Sequence, residues 1–161
     1  MKNSYRFKVA GHLFEAVFPE GTPAEDYLQP YMPFHCDDQG DVLFTLRVEY
    51  TDDLKALQPG TVKECLNDEA PYFWMFEKEG RYNFGFSYSK SRPDCLLFAE
   101  EDFSSCTVYV PRAFSERLTE FALSNAMMLM FTFRTSPHDT LMTHSSVIMY
   151  NGGGYMFLGR S

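Results

Sequence analysis

Clusters of lysine and arginine are missing from this sequence, and their absence sets the first boundary. Fourteen Lys and Arg stand against 22 Asp and Glu, giving a net charge of −8 and a pI near 4.9. Nucleic-acid backbones are held by grouped cations that displace counterions, so a nucleic acid is not an expected partner. An apolar leader is missing as well, because Met1 to Lys8 carries Lys2, Asn3, Ser4 and Arg6 where a signal peptide needs a hydrophobic core. The most apolar window, Leu118 to Phe133, is interrupted by Thr119, Glu120, Ser124 and Asn125 and is short for a membrane span. The expectation is a cytoplasmic protein with no membrane partner. Cysteine pairs at metal-ligand spacing are also absent. Cys36, Cys65, Cys95 and Cys106 are scattered, which argues against zinc and for reduced, mostly buried thiols. Nor is there a G-x-S-x-G, an H-E-x-x-H or a Cys/His pair at an informative distance.

Aromatic side chains are plentiful instead, at 17% of the chain with 16 Phe and 10 Tyr, a composition that favours strands. Tyr5, Phe7 and Val9 alternate with polar residues, and Phe14, Ala16 and Phe18 follow a turn at Gly11, which predicts an opening hairpin with His12 exposed at its tip. Four prolines between Pro19 and Pro33 rule out a continuous element there, leaving one helical turn at Ala24 to Leu28. The acidic turn Asp37-Asp38-Gln39-Gly40-Asp41 lacks the alternating spacing and distal Glu of a calcium loop and reads as a solvated turn. Strands are predicted at 41–50, 72–77, 81–88, 95–99 and 106–110, with a further short one at 61–66.

Within 81–88 every second residue is aromatic (Tyr82, Phe84, Phe86, Tyr88), a period-two ladder that suits one core-facing side of a sheet. Small residues, Asn83, Gly85 and Ser87, occupy the opposite face, where they are placed to line a groove. A single long helix is predicted from about Ala113 to Arg134, with Phe114, Leu118, Phe121, Ala122, Leu129 and Phe133 at helical spacing. From Ala126 to Phe133 the helix is apolar on all sides, and its methionines read as core filler. These elements predict an α+β fold. A mostly antiparallel sheet of about seven strands packs on one long helix, and a C-terminal β-hairpin follows.

The end of the chain carries the most specific pattern. An apolar, β-branched run from Leu141 to Tyr150 meets Asn151-Gly152-Gly153-Gly154, a strong hairpin turn. Next come Tyr155-Met156-Phe157-Leu158, expected as a strand buried on both faces, and then Gly159-Arg160-Ser161. A buried strand leading into Gly-x-Ser is how a phosphate-binding loop opens. The phrase from His144-Ser145-Ser146-Val147 through the glycine turn to Gly159-x-Ser161 resembles the entry to the kinase domain of the bacterial HPr kinase/phosphorylase family and its HPr-kinase-like relatives.

The resemblance implies that residues 1–135 form a β-rich N-terminal domain and that 136–161 are the opening hairpin of a nucleotide-binding domain cut at its Walker A loop. By the same resemblance His144 is the candidate catalytic residue, and Gly159 and Ser161 begin an incomplete phosphate loop. ATP and magnesium are implied for the parent protein and not for this stretch. Its phospho-acceptor is a protein or a small molecule, and a homodimer is a further expectation. The function implied is the non-catalytic N-terminal region of an ATP-dependent phosphotransferase, inactive by itself. A stand-alone binding module with an aromatic-rich sheet is the competing reading.

Overall fold

A computed structural model describes residues 3–143 and 146–157. Alternating apolar residues make Ser4–Val9 (β1) and His12–Val17 (β2) an antiparallel hairpin, with Phe7, Phe14 and Ala16 buried. The proline-rich stretch then crosses over the sheet through a short helix, Ala24–Leu28 (α1), and a 3-10 turn, Gln29–Phe34. This crossover returns the chain beside β2 in the same direction, so Phe44–Thr51 (β3) pairs parallel with it. The same segment closes the outer edge of β1. Cys36 N–H donates to the Arg6 carbonyl at 3.0 Å, and His35 bridges Phe7.

After a 3-10 turn at Leu54–Leu57 the chain jumps to the far edge and returns as a meander. Its strands are Thr61–Cys65 (β4), Tyr72–Lys78 (β5), Arg81–Ser87 (β6), Cys95–Ala99 (β7) and Ser105–Pro111 (β8). β8 closes the meander by pairing parallel with β3, giving the order β1-β2-β3-β8-β7-β6-β5-β4. The expected α+β architecture is present, with eight strands in the sheet because Thr61–Cys65 does pair. Two of its seven pairings are parallel, which the α1 crossover and the long meander impose.

The long helix, Ser115–Thr135 (α2), lies against β3, β8 and β7. Leu118, Ala122, Leu123, Ala126, Met127, Met130 and Phe131 form its buried stripe, at three- and four-residue steps. They meet Phe44, Leu46, Val48, Leu97, Val108 and Val110 from the sheet, with Phe14 stacked on Phe44 at 5.0 Å. Each such side chain is worth about 1.5–3 kcal/mol when fully buried. Thr119 and Thr135, both buried, return their hydroxyls to the carbonyls of Ser115 and Phe131. The Ala126–Phe133 half is not enclosed on all sides: Met128 is 40% exposed, since the sheet covers only one side, and Phe133 is partly exposed at the flank, where it packs on Phe84 and Phe103. Among the described residues no helix is long and apolar enough to cross a membrane.

Ser146–Tyr150 (β9) and Gly153–Phe157 (β10) form the expected hairpin through Asn151 and Gly152, both at positive φ. These two strands make a separate two-stranded sheet. The strand was expected to be buried on both faces. Met156 is instead 56% exposed, because among the described residues β10 pairs only with β9 and not with the eight-stranded sheet.

Candidate functional site

The helix takes one face of the sheet, so the opposite face of β5–β7 has to be covered by loops. The residues that do so enclose a cleft of about 360 Å³. One wall is the segment after β3. Asp53 caps its 3-10 turn, its Oδ1 accepting from Lys55 N–H at 3.0 Å, and Leu54 turns inward to line the cleft. Pro59 ends this wall and is tied to β6 by the Asn83 side-chain amide, which donates to its carbonyl at 2.8 Å. At Gly60 (φ +117°) a Cβ would stand 2.3 Å from the Glu77 carbonyl oxygen, so the chain passes against β5 only because glycine is there.

Phe76 and Leu96, both buried, supply the base from β5 and β7. Between these strands lies Gly85, opposite Trp74 on one side and Leu96 on the other. A Cβ on Gly85 would come within 2.8 Å of Pro93 Cγ and 3.2 Å of the Phe76 ring. The missing side chain is therefore what seats Pro93 on the sheet. Pro93 is followed by Asp94, whose N–H donates to the Phe86 carbonyl at 2.8 Å and whose Oδ2 accepts from Tyr88 N–H at 3.0 Å. Pro111, Phe114 and Leu118, at the entry to α2, complete the lining. Phe114 is 60% exposed and forms a lip.

Charges ring this apolar interior. Asp52 pairs with Arg112 at 3.3 Å, while Asp53 and Asp94 are engaged by backbone N–H groups. Lys55 and Arg92 also line the rim, and neither side chain has an acceptor among the described residues. A second, polar depression on the same face carries Arg81, Asn83, Phe98, Thr107 and Tyr109. Its two cations are not equivalent, since Arg81 lies 3.4 Å from Glu100 while Lys78 reaches only the Gln58 carbonyl at 3.5 Å.

Of the residues that sequence patterns single out, His144, Gly159 and Ser161 lie outside the described residues. The aromatic ladder divides: Phe84 and Phe86 are core, whereas Tyr82 and Tyr88 are exposed, with Tyr88 stacked on Phe121 at 4.3 Å. Asn83, Gly85 and Ser87 do face away from the helix, but as anchoring positions rather than as an open groove. Gly85 sits beneath Pro93, and the Ser87 hydroxyl accepts the Trp74 indole N–H at 3.0 Å. His12 is half-buried, not an exposed tip, because Nε2 meets the Thr140 hydroxyl at 2.9 Å and the ring packs on Phe131.

The cysteines are free thiols. Burial pushes Cys95 up to about 12 and Cys106 higher still, which makes both inert. Among the described residues no three His, Cys, Asp or Glu gather as metal ligands. No family model, no curated protein and no solved structure matches this chain. The cleft itself had a faint signal in the sequence, since Pro59, Pro93 and Pro111 are rigid loop residues placed at strand boundaries.

Proposed function

We propose that this chain is the non-catalytic N-terminal region of an ATP-dependent phosphotransferase resembling HPr kinase, with a positioning or substrate-recognition role. The observation that carries this reading is the β9–β10 ribbon. It stands apart from the eight-stranded sheet, exposes Ile148, Met149, Tyr150 and Met156, and is separated by Leu158 alone from the sequence Gly159-Arg160-Ser161. A ribbon with that exposure suits the first strands of a further layered domain, in which helices cover both faces. ATP and magnesium belong to that further domain. In this reading the phosphate-loop lysine and the magnesium ligands are supplied by that further domain. In this proposal the phospho-acceptor is a protein or a small molecule, and His144 is the catalytic candidate.

Two measurements test the proposal. Calorimetric titration of this chain with ATP·Mg is expected to show no sub-millimolar binding, and such binding would overturn the non-catalytic assignment. Reading the coding frame beyond Ser161 is expected to give Gly, Lys and Ser or Thr in Walker A order, and a stop codon there would overturn the phosphotransferase. In the extended protein, His144→Ala is expected to lower the phosphotransfer rate about 10²–10⁴-fold with melting unchanged. Unaltered turnover would remove His144 from the mechanism. The second reading, a stand-alone binding module, is favoured by one observation, the cleft between β3, β5, β7 and the start of α2.

A further inference from the structure

We infer that the cleft lined by Leu54, Pro59, Phe76, Pro93, Leu96 and Phe114 binds a small organic acid with an apolar body, of the aryl- or branched-alkyl carboxylate class. This inference stands whether or not the chain serves a phosphotransferase. Size comes first. A cleft of about 360 Å³ falls at the small end of the range of about 300–1,000 Å³ occupied by small-molecule sites. Such a space takes one ring or branched chain, which favours a free small molecule over a length of polypeptide.

The second argument is preorganisation. Two walls are fixed to the sheet, Pro59 by the Asn83 amide and Pro93 by the gap at Gly85, while the turn that carries Leu54 is held locally by the Asp53 cap. A ligand entering such a cleft orders little protein and keeps more of its binding energy. Base residues Phe76 and Leu96 are almost fully buried, so an apolar body completes a surface that is already mostly dry.

The third argument is charge. All three rim carboxylates have partners: Asp52 with the Arg112 guanidinium, Asp53 with Lys55 N–H, Asp94 with Tyr88 N–H. The two cations do not, among the described residues, so the free valence of the rim is for an anion. Arg92 offers the planar fork that a carboxylate accepts in two parallel hydrogen bonds, and Lys55 adds a point charge. With a net charge of −8 the chain repels anions in general, so the apolar body is required for binding and a bare anion is excluded.

The experiment is a heteronuclear NMR titration of the full chain with hydrocinnamate, hydrocinnamamide, acetate and a tetrapeptide ending in a free Phe carboxylate. Hydrocinnamate is expected to shift the amides of Leu54, Leu96 and Phe114, with the uncharged amide weaker by about tenfold or more, the size of one charge-assisted hydrogen bond. Acetate is expected to shift none of them. Arg92→Gln and Lys55→Gln, both at exposed positions, are each expected to weaken the acid and leave the amide unchanged, and Phe114→Ser to weaken both. Equal affinity for acid and amide, insensitivity to both charge variants, shifts confined to other regions, or no shifts at millimolar acid would each overturn the assignment. Tighter binding of the tetrapeptide than of hydrocinnamate would overturn it too, by making the cleft a docking site for a chain terminus.

Discussion

Gly85 and Gly60 are where single atoms decide the shape of the loop-covered face. A methyl group at Gly85 must displace Pro93 or the Phe76 ring, both less than 3.3 Å away. Gly85→Ala is expected to cost about 1–3 kcal/mol, the usual range for overpacking, as a lower denaturant midpoint at unchanged slope. A midpoint equal to the parent's would mean that Pro93 moves freely and does not define the cleft. At Gly60 the obstacle is the Glu77 carbonyl, which cannot rotate away as a side chain can, and φ of +117° adds backbone strain. Gly60→Ala should therefore destabilise more than Gly85→Ala in the same assay, and the reverse order would contradict this geometry. Asn83 acts through its hydrogen bond to the Pro59 carbonyl. Asn83→Leu keeps the branched shape but removes the donor to that part-buried carbonyl, for an expected loss of about 0.5–1.5 kcal/mol. None of these roles can be read from residue identity, because each depends on a partner brought up by the meander from elsewhere in the chain.

Elements were far more legible than contacts. Period-two alternation marks β1, β2, β3, β6 and β8, and helical spacing marks α2, because one face of each is buried against a single core. The parallel pairings were hidden, since pairing direction depends on the route between strands and not on the residues within them. β4 was nearly hidden too. Val62, Lys63 and Glu64 are exposed, so no alternation is imposed on this edge strand. Its shape is nevertheless protective: a register shift between Val62 and Glu64, with Lys63 between them, discourages pairing with another chain.

The Lys63 ammonium reaches Glu77 Oε2 on β5 at 2.7 Å, and Glu77 Oε1 accepts from Gly80 N–H at 3.1 Å. The lysine first, then this N–H, hold the Glu77 carboxyl below its ordinary value, and Glu77 in turn raises Lys63. For the depressed acid, the linked stability is present above the unfolded pKa and is lost as pH falls through the folded one. For the raised base it is present below the unfolded pKa and lost as pH rises through the folded one. Amide exchange in β4, corrected for intrinsic rates, is thus expected to quicken below about pH 4, and Lys63→Met to remove most of that pH dependence. A pH response unchanged in Lys63→Met would show that the pair does not hold this edge.

At the scale of the whole molecule the eight-stranded sheet, α1 and α2 satisfy one another, and the β9–β10 ribbon does not share in that closure. Successive residues of a strand point to opposite faces, so Ile148 and Tyr150 lie on one side of the ribbon and Met149 on the other, with Met156 opposite Val147. Ile148, Met149, Tyr150 and Met156 are exposed, Met149 at 83%. Full burial of side chains like these is worth about 1.5–3 kcal/mol each, so leaving them in water is unfavourable by several kcal/mol. The ribbon also has only one internal pairing, and its outer edges offer unpaired backbone to another chain. Met128, on the open side of α2, adds further exposed apolar surface. A two-fold arrangement in which ribbon edges pair while ribbon faces and the open sides of α2 cover one another relieves both deficits at once, and closed two-fold pairing is the commonest assembly. This chain is therefore expected to dimerise at micromolar concentration in sedimentation equilibrium, and Met149→Lys with Ile148→Lys to return it to a monomer. An 18.6 kDa monomer for the parent chain, with the backbone amides of residues 155–157 protected from exchange, would refute the dimer and mean that the ribbon folds back onto its own sheet.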